Sequence, residues 1–379
     1  MTSELSSLCS YAKGKVSVDT LSKRNYVSTE NMMPNKGGIV DAGALPSAQY
    51  TQQYIKDDIL VSNIRPYFKK IWMADDDGGC SNDVLVFRAD RGCDSTFLYY
   101  ILANDAFFNY ASATSKGTKM PRGDKTAIMQ YKVPCFNYET QLRIGKLLRS
   151  IDDRIAVNKK INDNLQQQLF SLYENMATAS PCLKEYTLSN LCDFQEGYVN
   201  PPQTHPEYFD GEVKWLRAVD INESFIIETS RTLTKAGFES AKKSALLFEP
   251  NTIAISKSGT IGRLGIIADY MCGNRAVINI APHDTNMLAF IYCFLKSKQR
   301  EFPDMAVGSV QKNLYVSLLE PLSVSIPDNE LLTAFNAVGA SILGMIHNNC
   351  VENTDLANLR DTILPKLMSG EIDVSSVLL

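Results

Sequence analysis

The chemistry most legible in this sequence is the neutralisation of phosphate. Residues 113–132 (ATSKGTKMPRGDKTAIMQYK) set Lys116, Lys119, Arg122, Lys125 and Lys132 against Asp124 alone, with Gly117-Thr118 among them. Glycines and small side chains let backbone amides approach a phosphate, while long cations neutralise its charge and release counterions. Half a chain later, Gly308-Ser309 opens a less charged stretch that ends in Gln311, Lys312 and Asn313. Gln and Asn pair bidentately with adenine, as Arg and Lys do with guanine. A second pair of segments follows two strand-like runs. Ser62-Asn-Ile-Arg65-Pro-Tyr67-Phe-Lys69-Lys70 interleaves cations with an aromatic, and Ser256-Lys257-Ser258-Gly259-Thr260-Ile-Gly-Arg263 sets cations among hydroxyls and glycines. One such run alone reads as solvated surface. Recurrence at matching places in both halves makes these residues candidates for nucleic-acid contact.

Catalytic motifs are weaker. Asn200-Pro201-Pro202-Gln203 comes nearest to one, the (Asp/Asn)-Pro-Pro-aromatic signature of enzymes that methylate the amino group of adenine. There the first residue accepts a hydrogen bond from the target amine and the aromatic stacks on the flipped base. Gln203 cannot stack in that way, no glycine-rich loop for an adenosyl cofactor lies upstream, and Gly197-Tyr198 with two prolines reads more simply as a turn. Gly259-Thr-Ile-Gly-Arg-Leu-Gly265 lacks the Lys-Ser/Thr pair of a phosphate loop. His205, His283 and His347 lie near neither a carboxylate pair nor a nucleophilic serine motif. The sequence points away from an enzyme. Two other readings are weighed beside DNA recognition: an orphan adenine methyltransferase built on Asn200-Pro-Pro, and a coiled-coil scaffold making no DNA contact.

The candidate loops need a frame, and the sequence writes one twice. Asp58-Ile-Leu-Val-Ser62 aligns with Thr252-Ile-Ala-Ile-Ser256, and the apolar run Phe97 to Leu102 with Phe290 to Leu295. Gly117-Thr118 then matches Gly308-Ser309, and Val133-Pro134 matches Ile326-Pro327, each proline leading into a long helix. In the first helix Ile144, Leu148, Ile151, Ile155, Asn158, Asn162, Leu165, Leu169, Leu172 and Met176 alternate by four and three, a heptad seam. The second runs Phe335, Val338, Ile342, Met345, Asn349, Glu352, Leu356, Leu359 and Ile363. Asn158 and Asn162 correspond to Asn349 and Glu352, so both seams carry the same polar interruption. Polar residues at such positions cost stability but fix register, because misalignment leaves an amide unpaired. Roughly 35–40 helical residues make a rod of roughly 50–60 Å.

The expected fold class is α+β: globular domains at 1–138 and 181–328, separated by long helices at 139–180 and 329–379 that form an antiparallel coiled coil, a pseudo-twofold internal repeat. Between the helices, short strand-like runs such as Val84 to Phe87, Leu264 to Ile267 and Ala276 to Ile280 are punctuated by Gly, Asn and Pro.

Composition bounds the rest. Lys and Arg number 38 against 42 acidic residues, a formal charge of −4, so a globally basic nucleic-acid binder is excluded. The excess lies wholly in residues 330–379, where Arg360 and Lys366 face Glu330, Glu352, Asp355, Asp361, Glu371 and Asp373. Any DNA-directed charge must therefore gather in patches of a neutral body. The 9 cysteines form no C-x-x-C pair, and the N-terminus has no apolar signal region, which predicts free thiols, no structural zinc and a reducing, cytoplasmic setting. The longest apolar run, Met287 to Leu295, falls short of the ~20 residues of a membrane span, so no membrane partner is expected.

Over essentially its full length the sequence resembles the specificity subunit of type I restriction-modification systems. The resemblance rests on the repeated order of domain and helix, and on Tyr26-Val-Ser-Thr-Glu-Asn-Met32 and Leu188-Ser-Asn-Leu-Cys-Asp-Phe-Gln-Glu-Gly197. It rests also on the Gly117-Thr118 and Gly308-Ser309 elements and on the closing Leu364-Pro-Lys-Leu-Met-Ser-Gly-Glu-Ile372. What it implies is a non-catalytic DNA reader, each globular part a target-recognition domain for one half of a bipartite, asymmetric site on double-stranded DNA. The helices would pack antiparallel as spacer and docking surface for two methyltransferase subunits, which restriction subunits would join. S-adenosylmethionine, ATP and magnesium would then belong to those partners, with no cofactor in this chain.

Overall fold

The computed structural model describes residues 2–179, 184–309 and 311–375. The expected boundary at 180/181 and Cys182 lie outside the described residues. The chain forms two compact units: Met1–Arg154 with Leu356–Leu379, and Ile155–Asp355. Each long helix therefore contributes to both units, and the compact units do not follow the four sequential segments expected from the sequence.

In the first unit, strands β1 (Thr2–Glu4), β2 (Cys9–Tyr11), β3 (Ile59–Ser62), β4 (Ile71–Met73), β5 (Val84–Ala89) and β6 (Lys132–Pro134) carry the frame. A four-stranded sheet runs in the order β2-β5-β3-β4, and β1 closes antiparallel on β6. β3 is buried on both faces because its alternate side chains enter different cores. Ile59 and Val61 pack with Phe97, Leu98 and Ile101, whereas Leu60 packs with Val27, Met32 and Tyr54. Helices α1 (Ser95–Ala103) and α2 (Asp105–Ala113) cover one face, each started by a side-chain cap: Asp94 accepts from the Phe97 amide and Asn104 from that of Ala106.

The second unit repeats the plan with β7 (Lys184–Thr187), β8 (Cys192–Glu196), β9 (Ile253–Ser256), β10 (Leu264–Ile267), β11 (Val277–Pro282) and β12 (Ser323–Ile326). The sheet order β8-β11-β9-β10 matches that of the first unit, a fifth strand, Phe225–Ile226, adds at the β10 edge, and β7 closes on β12. β9 splits its side chains as β3 does: Ile253 and Ile255 enter one core, Ala254 another. The duplicated order is the repeat expected from the sequence.

The long helices are α3 (Tyr138–Ala179) and α5 (Asn329–Ser369); between them, α4 (Leu288–Lys298) is the second unit's counterpart of α1. Within each unit they run antiparallel. In the second unit Asn158 donates to Glu352 at 2.8 Å and to Asn353 at 3.0 Å, while Asn349 donates to Asn162 at 2.8 Å. The polar interruptions of the two seams are thus each other's partners. In the first unit the corresponding layer is ionic: Asp152 accepts from the Arg360 guanidinium and from the Tyr100 hydroxyl, both at 2.6 Å.

Most of the α3 seam is buried, including Ile144, Leu148, Ile151, Asn158, Asn162, Leu169 and Met176, with Ile155 and Leu165 half-buried. Leu172 is an exception and faces outward. The α5 seam needs a larger correction. Ile342 is buried and Asn349 and Leu356 are half-buried, but Val338, Met345 (47% exposed) and Leu359 (50% exposed) point away from the partner. The reason is that α5 carries two apolar rows side by side. One contains Phe335, Ile342 and Ile346; the other repeats every seven residues as Leu331, Val338 and Met345. Gly339 decides between them, since a Cβ there would lie 2.6 Å from Ala289 and 3.4 Å from Leu169. Among the described residues α5 is also the one helix long and apolar enough to cross a membrane by length and composition. Its row of Asn349 and Asn353 is engaged in the polar layer with α3.

Candidate nucleic-acid interface

Two loops of each frame meet side by side, and they are built alike. In the first unit Lys116 and Arg122 exchange backbone hydrogen bonds of 2.8 and 2.9 Å, closing a seven-residue loop that Gly117 enters at φ 96°. In the second unit Val307 and Asn313 exchange bonds of 3.0 and 2.9 Å around Gly308 at φ 142°. Positive φ of this kind favours glycine, which accounts for the recurrence of Gly117 and Gly308. Each loop is tied to the turn after the central strand: Gly123 donates to the Asn63 carbonyl at 3.1 Å, and Leu314 donates to that of Lys257 at 2.9 Å. The segments matched by sequence are therefore neighbours in space within each unit.

The side chains differ. In the first unit Thr118 and Lys119 are exposed, Lys116 is exposed and bonded to Asp124 at 2.6 Å, and Arg122 is exposed and bonded to Asp83 at 2.9 Å. Asp124 also caps the short helix that follows, accepting from the Thr126 and Ala127 amides. The hydrogen bond from Lys116 and then those two amides hold its carboxyl below the usual value. Lys125 lies 6.0 Å from the Tyr11 ring centre. On the neighbouring turn, Lys69 and Lys36 both reach Asp105, at 2.8 and 3.0 Å, and Tyr67 is exposed. Arg65 takes a left-handed backbone at φ 50° and is half-buried. Lys70 is turned inward: it donates to the Thr29 carbonyl at 2.6 Å, and burial lowers its pKa.

In the second unit the cations of the turn are likewise engaged inside the protein. Lys257 bonds Glu196 at 2.9 Å and lies 4.8 Å from the Tyr315 ring centre, while Arg263 donates to the Ile221 carbonyl at 3.4 Å. Ser258 is half-buried, and Gln311 and Lys312 are exposed. Asn313 turns its amide back to the Gln311 carbonyl at 3.1 Å. Beside this turn lies a cavity of about 520 Å³ lined by Gly259, Thr260, Arg263, Gln299, Glu223 and Lys312. Gln299 donates to Glu223 at 2.8 Å and to the Gly262 carbonyl at 3.0 Å.

The candidate runs of the sequence leave out Lys36, Asp105 and Gln299, which the fold brings to these turns. Lys36 stands in the turn-forming Pro34-Asn-Lys-Gly-Gly38, a signal that was available; the others are set by tertiary contact. The Asn200-Pro-Pro-Gln203 stretch forms a turn in which Gln203 accepts from Arg231 at 3.0 Å and the Val199 carbonyl from the Trp215 indole at 2.7 Å. The eight described cysteines are free thiols, and burial pushes those of Cys80, Cys192, Cys272 and Cys293 up to about 12.

Comparison with known proteins agrees with this duplicated frame. The family model described as the type I restriction modification DNA specificity domain matches twice, over residues 1–167 and 183–349. The type I restriction enzyme MjaIX specificity subunit of Methanocaldococcus jannaschii is 24% identical over 308 residues, 76% of this chain and 71% of that protein. The HindI specificity subunit of Haemophilus influenzae is 27% identical over 176 residues, 45% of this chain and 38% of its own length. Among solved structures, the type I restriction-modification S subunit from M. genitalium superposes with a TM-score of 0.56 at 18% identity, covering 97% of this chain and 96% of that one, a likeness of fold.

Proposed function

Because the chain belongs to the type I restriction modification DNA specificity family, we propose that each of its two domains reads one half of a bipartite, asymmetric target in double-stranded DNA. The chain is a specificity subunit and not an enzyme; the orphan methyltransferase and the scaffold without DNA contact find no support in its family. It assembles with other restriction-modification subunits and binds DNA. The finer reading is that two methyltransferase subunits dock on the paired helices, where the outward row of Leu331, Val338 and Met345 offers apolar surface, and that restriction subunits join them. S-adenosylmethionine, ATP and magnesium then act in those partners, and the assembly works in the cytoplasm.

One observation carries the reading of the site: in both units a loop closed by reciprocal backbone bonds is tied to the turn that follows the corresponding central strand. Small residues and long side chains on a rigid base suit phosphate and base contact at once. The test is a gel shift of the complex reconstituted with its methyltransferase subunits at several salt concentrations. Sequence-selective binding should weaken linearly in log–log form as salt rises. Selective binding that ignores salt, or none at all, contradicts the reading.

A further inference from the structure

We propose that Tyr67 and Phe68 form an aromatic wedge that enters the base stack of the half-site read by the first domain and opens one base step. The proposal rests on the DNA-recognition reading above. Tyr67 is 51% exposed and Phe68 39% exposed, and their ring centres lie 4.8 Å apart, so two large apolar rings project together at the tip of the turn between β3 and β4. The exposed parts of such rings can stack on any base.

The tip is fixed before any ligand arrives. Pro66 sets its first residue, and Arg65 and Lys69 flank it in left-handed conformations, φ 50° and 51°, which non-glycine residues rarely adopt. Backbone bonds hold that geometry: Arg65 donates to the Pro121 carbonyl, Asn35 to that of Phe68 and Lys36 to that of Lys69, each at 2.8 Å. The ammonium groups of Lys36 and Lys69 then converge on Asp105. A wedge that unstacks bases needs such a rigid base, since a loose loop would fold aside.

Charge selects the occupant. The bond from Arg65 to Pro121 sets the base of the turn beside the loop carrying Lys119, Lys116 and Arg122, the last two exposed while also paired with Asp124 and Asp83. Apolar rings rimmed by cations complement a base step between phosphates better than an apolar protein surface. In the second domain the corresponding turn carries Gly259, Thr260, Ile261 and Gly262, and Ile261 packs on the core instead of projecting. The wedge is therefore confined to one half of the target.

The experiment uses the reconstituted complex and its target duplex, read from methylation mapping, with 2-aminopurine placed in turn at each purine of both half-sites. Positions that accept the methyl group are left out, because a methyltransferase flips them. The expected result is a severalfold rise in fluorescence at one step of one half-site. Tyr67→Ala with Phe68→Ala should abolish it and weaken binding roughly tenfold or more, while Tyr67→Trp should retain it. If the complex binds selectively but no step brightens, or the double variant leaves the signal intact, the wedge is wrong and DNA recognition stands. If the double variant loses its methyltransferase subunits, the rings form a protein contact and the proposal is overturned. Loss of selective binding by the unmutated complex would instead remove the underlying reading.

Discussion

The two units solve the same structural problem with different chemistry. Where the helices meet, the first unit places an ionic group, Asp152 with Arg360 and Tyr100, and the second a layer of amides, Asn158, Asn162, Asn349 and Asn353, with Glu352 as a further acceptor. At the corresponding loops the first unit presents Lys116, Lys119 and Arg122, and the second Gln311 and Lys312, while Lys257 and Arg263 of its turn are bonded inside. The strands beneath keep one order in both. A frame that positions loops tolerates little change, because alternate side chains of β3 and β9 feed two cores each; the loops face solvent and are free to diverge. That is the division expected if the two halves of a target differ.

The comparison breaks most severely at Asp152. Asp152→Ala leaves the half-buried Arg360 guanidinium with Asp361 alone and the Tyr100 hydroxyl without its acceptor, and should cost about 3 kcal/mol in urea unfolding. Asn158→Ala removes the hydrogen bonds of a buried but uncharged amide to Glu352 and Asn353 in the other unit and should cost about 1–2 kcal/mol. Equal costs would show that the ionic and amide layers are interchangeable.

At the loops, Lys119→Ala with Arg122→Ala should lower affinity of the assembled complex roughly tenfold to a hundredfold and reduce the salt slope by about two. Base preference should relax in one half-site only. Loss at both halves would mark these residues as general phosphate contacts, and the contrast between the loops would be one of charge alone.

The smallest expected effect concerns pH. Burial acts to raise the Asp105 carboxyl, but hydrogen bonds and charge from Lys69 and Lys36 outweigh it and hold the group below its usual value. A depressed carboxylate stabilises the fold above its unfolded pKa, about 3.9, and that contribution is lost as pH falls through the still lower folded value. Measured against the intrinsic rate, which itself slows toward acid, hydrogen exchange at the Asn35 and Lys36 amides should therefore accelerate below about pH 4. The second unit's turn, closed by the Gly262 amide on the Ser256 carbonyl, should respond less. Matched acceleration would remove Asp105 as the reason for the turn's rigidity.

Much of this was legible in the sequence because it is local. Heptad spacing gave both long helices their extent, and Gly117 and Gly308 marked loops whose closure needs positive φ. The matched polar sites became cross-helix partners, since an amide at a seam position must find one. What escaped depends on neighbours distant in the chain. Val338, Met345 and Leu359 obey the same periodicity as the buried row, and only the close approach of Leu169 and Ala289 at Gly339 selects between them. Lys70, Lys257 and Arg263 look like surface cations until the Thr29 carbonyl, Glu196 and the Ile221 carbonyl are seen to hold them. The −4 charge also changes meaning. It belongs to the distal helix and tail and not to the cationic loops of the first domain, which sit in a neutral body, so the chain alone should bind DNA weakly and depend on its partners.

The most direct test of that account is a map of methylated bases in the host genome, made with and without this chain. Two short, unlike blocks separated by an unspecified spacer, present only when the chain is present, are the result predicted for a subunit whose two domains read different half-sites. A single continuous motif, or a bipartite one that persists when the chain is deleted, would contradict it.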